Sequence, residues 1–457
     1  MAEREVVAQD TGKGHHDKGI VITLFLGSLL ARAAYVVFLN VNRLSHGRDI
    51  MGLRHDDQGS YWYFAEAILH DRSWLTSHVN FRPPLYPLFL AFISAVFGPG
   101  SNYLTIMLVQ CVIGSFSVIL IYWLAKMIFN GKIAVMSASW AVGYPLFLYY
   151  CGFLLGETLV TFLFLFFILS VIIFLKHGRL GVMAASGVLY ALLIHADPRF
   201  LFHFPFVLLY LYLGLGDAKK TVRPFLIFSL VALLCSVPWA VRNHIAYPDR
   251  LVVINTRTLD LWTKRTADTV RGQIQSGLGT GTVKPNSIQR FEERERAQIE
   301  NAGKRGRTRK LSREERIAFE NGKRPSFSLP FIYFDRFIEF WRFARFTPGY
   351  DPYPDLRFER KWGTGRNLIG IAFTGILYPL LAAGIFFCLK KHHRFGLVVC
   401  TVMSVHVLLH VIVHSRERYR LPIEGLVFMI AFYGLWEIIA TFKMNTKPAE
   451  RHGTIQG

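Results

Sequence analysis

Cysteine is scarce in this chain, and so is charge. Five cysteines occur in 457 residues: Cys111, Cys151, Cys235, Cys388 and Cys400. All lie in or at the ends of apolar runs with no paired spacing, which argues against a disulfide framework and a zinc motif. Charged residues make up 18% of the chain, below the roughly 25% of soluble domains. Apolar–polar alternation is also missing. Unbroken runs such as "LIFSLVALLCSVPWAV" lack the pattern of barrel strands, so the apolar segments read as helices. What remains is strongly apolar: 52% hydrophobic, 15% aromatic, with a mean hydropathy of +0.32. Repeated runs of about twenty apolar residues match a hydrocarbon core of about 30 Å. The fold class is an all-α polytopic membrane protein.

Lysine and arginine total 52 against 31 acids, a net charge of +21. Much of this charge lies in turns between apolar runs, which fits positive-inside loops and anionic lipid headgroups rather than nucleic acid. Spans are expected near 19–41, 103–127, 132–150, 158–176, 180–196, 200–216, 223–243, 367–390, 394–414 and 421–443. The first eighteen residues are polar and no short core with a cleavage site follows, so the first span reads as retained. The piece "PPLYPLFLAFISAVFG" at 83–98 would rise roughly 24 Å as a helix, short of the core. It is expected to be a re-entrant or juxtamembrane helix, leaving ten spans with an eleventh open.

With 83–98 not crossing and the N-terminus inside, the basic turns "KMIFNGK", "KHGR", "GDAKKTVR" and "KKHHR" all fall on the cytoplasmic side, as positive-inside bias requires. The opposite side then holds the first loop with Asp56 and Asp57, the turn before Glu157, "HADPRF", the long loop 244–366 and "HSRERYRLP". Groups suited to acid–base and anion chemistry thus gather on one face, the arrangement of an active site. The expected organisation is a tail over 1–18, a membrane module over 19–243 with its first loop at 42–102, the loop 244–366, C-terminal spans over 367–443 and a tail over 444–457. Within the long loop, residues 290–324 carry twelve basic and seven acidic residues, a solvated or disordered insertion. After it, Asp335, Arg336, Glu339, Arg342 and Arg345 share one face of "FIYFDRFIEFWRFARF", an expected interfacial helix.

Five motifs in order carry a family resemblance: "DQGSYWYFAEAIL", "FRPPLYPLFLAFISAVFG", "LLGETLVTFLFLF", "PWAVRNHIAYPDRLVVINT" and "RERYRLP". The chain resembles the GT-C glycosyltransferases that use polyprenyl-phosphate sugars, among them protein O-mannosyltransferases, the lipid A aminoarabinose transferase and lipopolysaccharide-core transferases. "HADPRF" departs from relatives, in which arginine often precedes proline, and Gly156 stands where serine is common. The resemblance implies a GT-C-like bundle of about ten or eleven spans, with an extracytoplasmic first loop containing juxtamembrane helices and one long extracytoplasmic loop. It implies an inverting transfer of a hexose or pentose from a polyprenyl-phosphate donor to a glycan, lipid or protein hydroxyl. Membrane lipids are the other expected partners, and nucleic acid is not. The compact chain, without a recognisable retention tail, fits a multi-pass protein of a bacterial inner membrane whose site faces the periplasm or exterior.

By this resemblance Asp57, at the family's spacing to Tyr61, is the general base that makes an acceptor hydroxyl nucleophilic. Capping of the helix starting near Gly59 is the alternative for Asp56 and Asp57. Glu157 is expected to face the cavity, holding acceptor hydroxyls or a metal ion, although an acid at a helix start is favourable in itself. A divalent metal is left open. The leaving phosphate requires cations, for which Arg82, Arg199, Arg242, Arg418 and Arg420, with Tyr419, are the candidates; span-end arginines also snorkel. Arg32, inside the first span, is expected to pair with a buried acid or backbone carbonyls. His406, His410 and His414 lie on one helical face and read as interior packing rather than a metal site. "GLGTGT" lacks the lysine of a phosphate loop. A transporter, flippase or ligase for lipid-linked glycans is the rival reading; no inverted repeat is visible to favour transport.

Overall fold

A computed structural model describes residues 11–45, 57–70, 82–98, 103–246, 329–341, 371–413 and 417–445. Among them there is no strand. The helices are α1 (Thr11–Ser45), α2 (Asp57–His70), α3 (Leu85–Phe97), α4 (Tyr103–Ile128), α5 (Gly131–Gly143), α6 (Pro145–Cys151), α7 (Glu157–His177), α8 (Leu180–Ala196), α9 (Phe204–Leu215), α10 (Ala218–Ala246), α11 (Leu329–Trp341), α12 (Leu377–Lys390), α13 (Arg394–Val413) and α14 (Leu421–Asn445). Residues 260–335 cluster as a unit of their own, of which only 329–335 are described. The basic insertion 290–324, Asp56, Arg342, Arg345 and His414 lie outside the described residues.

Among the described residues, eight helices are long and apolar enough to cross a membrane. Two of the ten expected spans differ. The run 132–150 is not one straight helix but α5 and α6, bent by 50°. Pro145 opens α6, and Tyr144 before it is extended at φ −65°, ψ 119°, because a following proline disfavours the helical region. The run 180–196 forms α8 as expected, but its 17 residues rise only about 25 Å. α3 is shorter still, at 13 residues, in line with the expected juxtamembrane helix.

In the larger unit α4 packs on α1, α5 and α7, α7 on α8 and α14, α8 on α10, and α12 on α14. Close approach between helices requires small residues where they touch. A Cβ on Gly384 of α12 would lie 1.9 Å from the Ile430 carbonyl oxygen of α14, and one on Gly187 of α8 would lie 2.7 Å from that of Phe228 in α10.

The four basic turns meet at one end of the bundle. Lys176 reaches the Met127 carbonyl and sits 5.4 Å over the Phe395 ring. Arg394 bonds the Leu213 carbonyl at 3.5 Å, and the Phe129 and His393 rings are 5.0 Å apart. α7 runs from this end, at Lys176, to Glu157 at the other. The opposite end therefore carries the acidic and cationic groups considered next.

Candidate active site

α2 is fixed by its polar and aromatic side chains. The Leu154 N–H donates to the Gln58 side chain at 3.0 Å, and Tyr61 meets Tyr86 of α3 edge-on at 4.9 Å. The Tyr86 hydroxyl donates to Gln110 of α4 at 2.7 Å. The amide of Gln110 donates to the carbonyls of Cys151 at 3.1 Å and Phe153 at 2.8 Å. Gly156 lies against the Tyr86 ring, where a Cβ would still fit at 3.6 Å. These contacts bring the start of α2, the start of α3 and the α6–α7 turn together.

Asp57 stands at their meeting point. Its carboxylate accepts from Arg82 Nη2 at 2.5 Å and from Arg418 Nη1 at 2.9 Å. Arg82 Nε also donates to Ser60 Oγ at 2.8 Å, and that hydroxyl donates to the Asp57 carbonyl at 2.9 Å. The Arg82 guanidinium lies 4.9 Å from the Tyr61 ring. Arg418 is 3.6 Å from Glu157. Burial alone would raise the Asp57 carboxyl, but the charges and hydrogen bonds of Arg82 and Arg418 outweigh it and hold it at about 2. Burial dominates at Tyr61 and pushes its hydroxyl up to about 12, against the nearby Arg82 charge. About a third of the Asp57 side chain (36%) is exposed.

Asp197, Arg199 and Tyr419 form the adjoining part. Asp197 caps the 3₁₀ turn Pro198–His203, accepting from the Arg199 N–H at 3.1 Å. It also accepts from Arg199 Nε at 2.8 and 3.0 Å and from Nη2. So held, the Arg199 guanidinium stacks 3.6 Å from the Tyr419 ring centre. Arg418 approaches the same ring at 5.2 Å and donates to the Tyr419 hydroxyl at 3.5 Å. Tyr419 thus contacts both guanidinium groups. Among the described residues, Arg199 Nη1 and Arg418 Nε are buried donors with no acceptor, a costly state that an anionic oxygen relieves.

The structure brings together Asp57, Tyr61, Arg82, Glu157, Arg199, Arg418 and Tyr419 from the sequence candidates. Arg420 goes elsewhere: fully buried, it pairs with Glu424 at 2.5 Å and bonds the Phe340 carbonyl at 3.0 Å and Tyr378 at 2.9 Å. This burial is the reason it does not face the open cluster. Arg242 bonds Asn243 at 3.1 Å and lies 5.0 Å over Trp239 at the end of α10. Arg32 bonds Ser28 and the Ala141 carbonyl at 3.4 Å, the backbone-carbonyl arrangement. Arg336 donates to the Ile412 carbonyl at 2.5 Å, closing the end of α13. Asp197, Gln58 and Ser60 are partners that the sequence reading did not single out, although Asp-Pro is a turn-initiating pair. Asp57 and Asp197 are spent on arginines, and among the described residues no three His, Cys, Asp or Glu converge.

Residues 81–241 match the dolichyl-phosphate-mannose-protein mannosyltransferase family, a stretch that includes Arg82, Glu157, Asp197 and Arg199. The fold is similar to that of the oligosaccharyltransferase AglB from Archaeoglobus fulgidus. For the structure in complex with an inhibitory peptide and a dolichol-phosphate, the TM-score is 0.50 at 13% identity, covering 92% of this chain and 51% of that one. For the apo form it is 0.51 at 13% identity, covering 93% and 51%. The family match over 81–241 and the similar fold together support a glycosyltransferase of the GT-C type. The chain spans about half the length of those oligosaccharyltransferase structures. A search of curated proteins by sequence finds no match. Asp57 and Arg418 lie outside the matched stretch, before it and after it, and they close the cluster.

Proposed function

We propose that this chain moves a sugar from a polyprenyl-phosphate carrier to an acceptor hydroxyl, with inversion, at the end of the bundle opposite the basic turns. The observation that carries the reading is the pair of buried, unsatisfied donors on Arg199 and Arg418 beside an ionised Asp57. The donor phosphate would lie against Arg199 and Arg418, drawing Arg418 away from Asp57. The freed carboxylate would take the proton of the acceptor hydroxyl as its oxygen bonds the anomeric carbon. The bond from that carbon to the phosphate oxygen breaks, and polyprenyl phosphate leaves as an anion stabilised by the guanidinium groups. Glu157, beside Arg418, would orient the acceptor. The mannosyltransferase family match over 81–241 supports the transfer chemistry; a bacterial inner membrane, a periplasmic site and a cell-envelope acceptor complete the proposal.

The test is mass spectrometry of lipid copurifying with the protein, followed by reconstitution with that lipid. A prenyl monophosphate sugar that is consumed, releasing polyprenyl phosphate, is the expected result. An intact lipid-linked glycan carried across the bilayer without cleavage would instead establish the transporter reading.

A further inference from the structure

The turn bearing Arg418 and Tyr419 is tied to the interior by a line of histidines that the proposed chemistry does not touch. His406 of α13 lies with Nε2 2.8 Å from the Tyr419 carbonyl. A carbonyl only accepts, so Nε2 carries the ring proton. His406 Nδ1, the lone-pair nitrogen of the neutral ring, is 3.2 Å from His203 Nε2, which must therefore donate. His203 Nδ1 is then the acceptor for the Tyr210 hydroxyl, 3.3 Å away. One backbone carbonyl thus fixes every proton along the line Tyr210, His203, His406, Tyr419. His410 adds a brace: its Nδ1 donates to the His406 carbonyl at 2.9 Å, and its ring lies 5.4 Å from that of Tyr419.

Packing alone does not ask for this chemistry. His203 and His406 are 3% and 1% exposed, in an aromatic surround that includes Phe164, Phe200 and Phe340. Apolar side chains would fill that space without the cost of burying polar nitrogens. What two histidines supply is direction. They join the end of α13 and the Pro198–His203 turn, which carries Arg199, to the backbone of Tyr419, on whose ring Arg199 stacks.

We infer that His203 and His406 are positioning residues that hold Tyr419 in place and thereby set the separation of Arg199 and Arg418 for an anionic lipid phosphate. The inference rests on the transferase reading. Tyr419 released from His406 would let its ring tip, and the two guanidinium groups would lose their common partner. Misplacement of groups that hold a substrate costs binding first.

The experiment uses the full chain in nanodiscs, with undecaprenyl phosphate as the binding probe and donor and acceptor kinetics measured separately. His406→Leu removes the bond to Tyr419, whereas His406→Gln keeps a donor at the same reach. The expected result for His406→Leu is about tenfold weaker probe binding and a donor KM raised alike, the scale of one lost hydrogen bond. Acceptor KM stays unchanged, and His406→Gln recovers most of the loss. His203→Leu, one link further back, moves the same quantities in the same direction by less, and it carries the test should His406→Leu not fold. Equal loss in the Leu and Gln variants of His406, or losses shared evenly between donor and acceptor, would mean simple packing and overturn the inference. Parent protein that binds no undecaprenyl phosphate sinks the transferase reading and the inference with it. Parent binding matched by folded His406→Leu sinks the inference alone.

Discussion

Asp57 and Arg418 are 361 residues apart in sequence, yet Arg418 Nη1 donates to the Asp57 carboxylate at 2.9 Å. The first polar segment and the last span are thereby joined at one point. Arg82, bound to the other oxygen of Asp57, makes the carboxylate a bridge between two cations. A base so held is a weak base until an anion competes for its partners. Donor phosphate is such an anion, so its arrival and the release of the base are one event in the proposed cycle.

Asp57→Asn separates this arrangement from a helix cap. The amide keeps a hydrogen-bond acceptor but loses basicity, and transfer should fall by about 100- to 10,000-fold. Removing the negative charge also leaves Arg82 and Arg418 without their carboxylate competitor. Binding of undecaprenyl phosphate should therefore hold or tighten. Transfer at close to the parent rate would remove Asp57 from the chemistry and promote Glu157.

Arg82→Met should change the pH dependence. In the parent, the Asp57 carboxyl is held at about 2 against an ordinary 3.8, so kcat/KM should show no acid limb from this group above about pH 4. The stability contributed by its ion pairs is complete above the ordinary value and lost as pH falls toward the folded one. With Arg82 gone, the largest lowering influence disappears while burial still raises the carboxyl. The acid limb of kcat/KM should then move upward. A limb that stays where the parent has it would show that Arg82 does not govern Asp57.

The spans, the gathering of basic turns and the joining of Asp57, Arg82, Glu157 and Arg418 were legible in the sequence, because hydropathy and charge parity act over whole segments. The difference between Arg418 and Arg420 was not. Both sit in "RERYRLP", but the turn Glu417–Arg420 is a 3₁₀ helix. Residues two apart in such a turn point about 120° away from one another. One reaches Asp57 and the other goes inward to Glu424, a partner four residues on that an i, i+4 reading would have found. The break at Tyr144–Pro145 was signalled by the proline, whereas run length alone suggested a single span. The histidine stripe of α13 was visible as a pattern; the role proposed for it needed His203, 203 residues away, which no local spacing reveals.

The two arginines should fail differently. Arg418→Met should abolish probe binding and turnover while thermal unfolding in detergent stays near that of the parent. Arg420→Met leaves Glu424 buried and unpaired beside Tyr144, whose hydroxyl donates to it at 2.8 Å. Breaking a buried pair from one side costs about 3–5 kcal/mol, so this variant should unfold at distinctly lower temperature. An Arg420→Met protein as stable as the parent but unable to bind the probe would return Arg420 to the anion site.

The orientation of the bundle is open to cysteine labelling with a membrane-impermeant maleimide. Lys220 and His392 lie in the basic turns, and His70 closes α2, which begins at Asp57. Positive-inside bias predicts that the basic turns are cytoplasmic, because lysine and arginine resist translocation in short loops. α7 runs from Glu157 beside Arg418 to Lys176 among those turns, so the acid–arginine cluster must face outward if they face inward. Cysteine at 220 or 392 should label only after the membrane is permeabilised, whereas cysteine at 70 should label in intact cells. Labelling of 220 from outside would turn the whole site to the cytoplasm. Donor and acceptor would then have to be sought among molecules on that side.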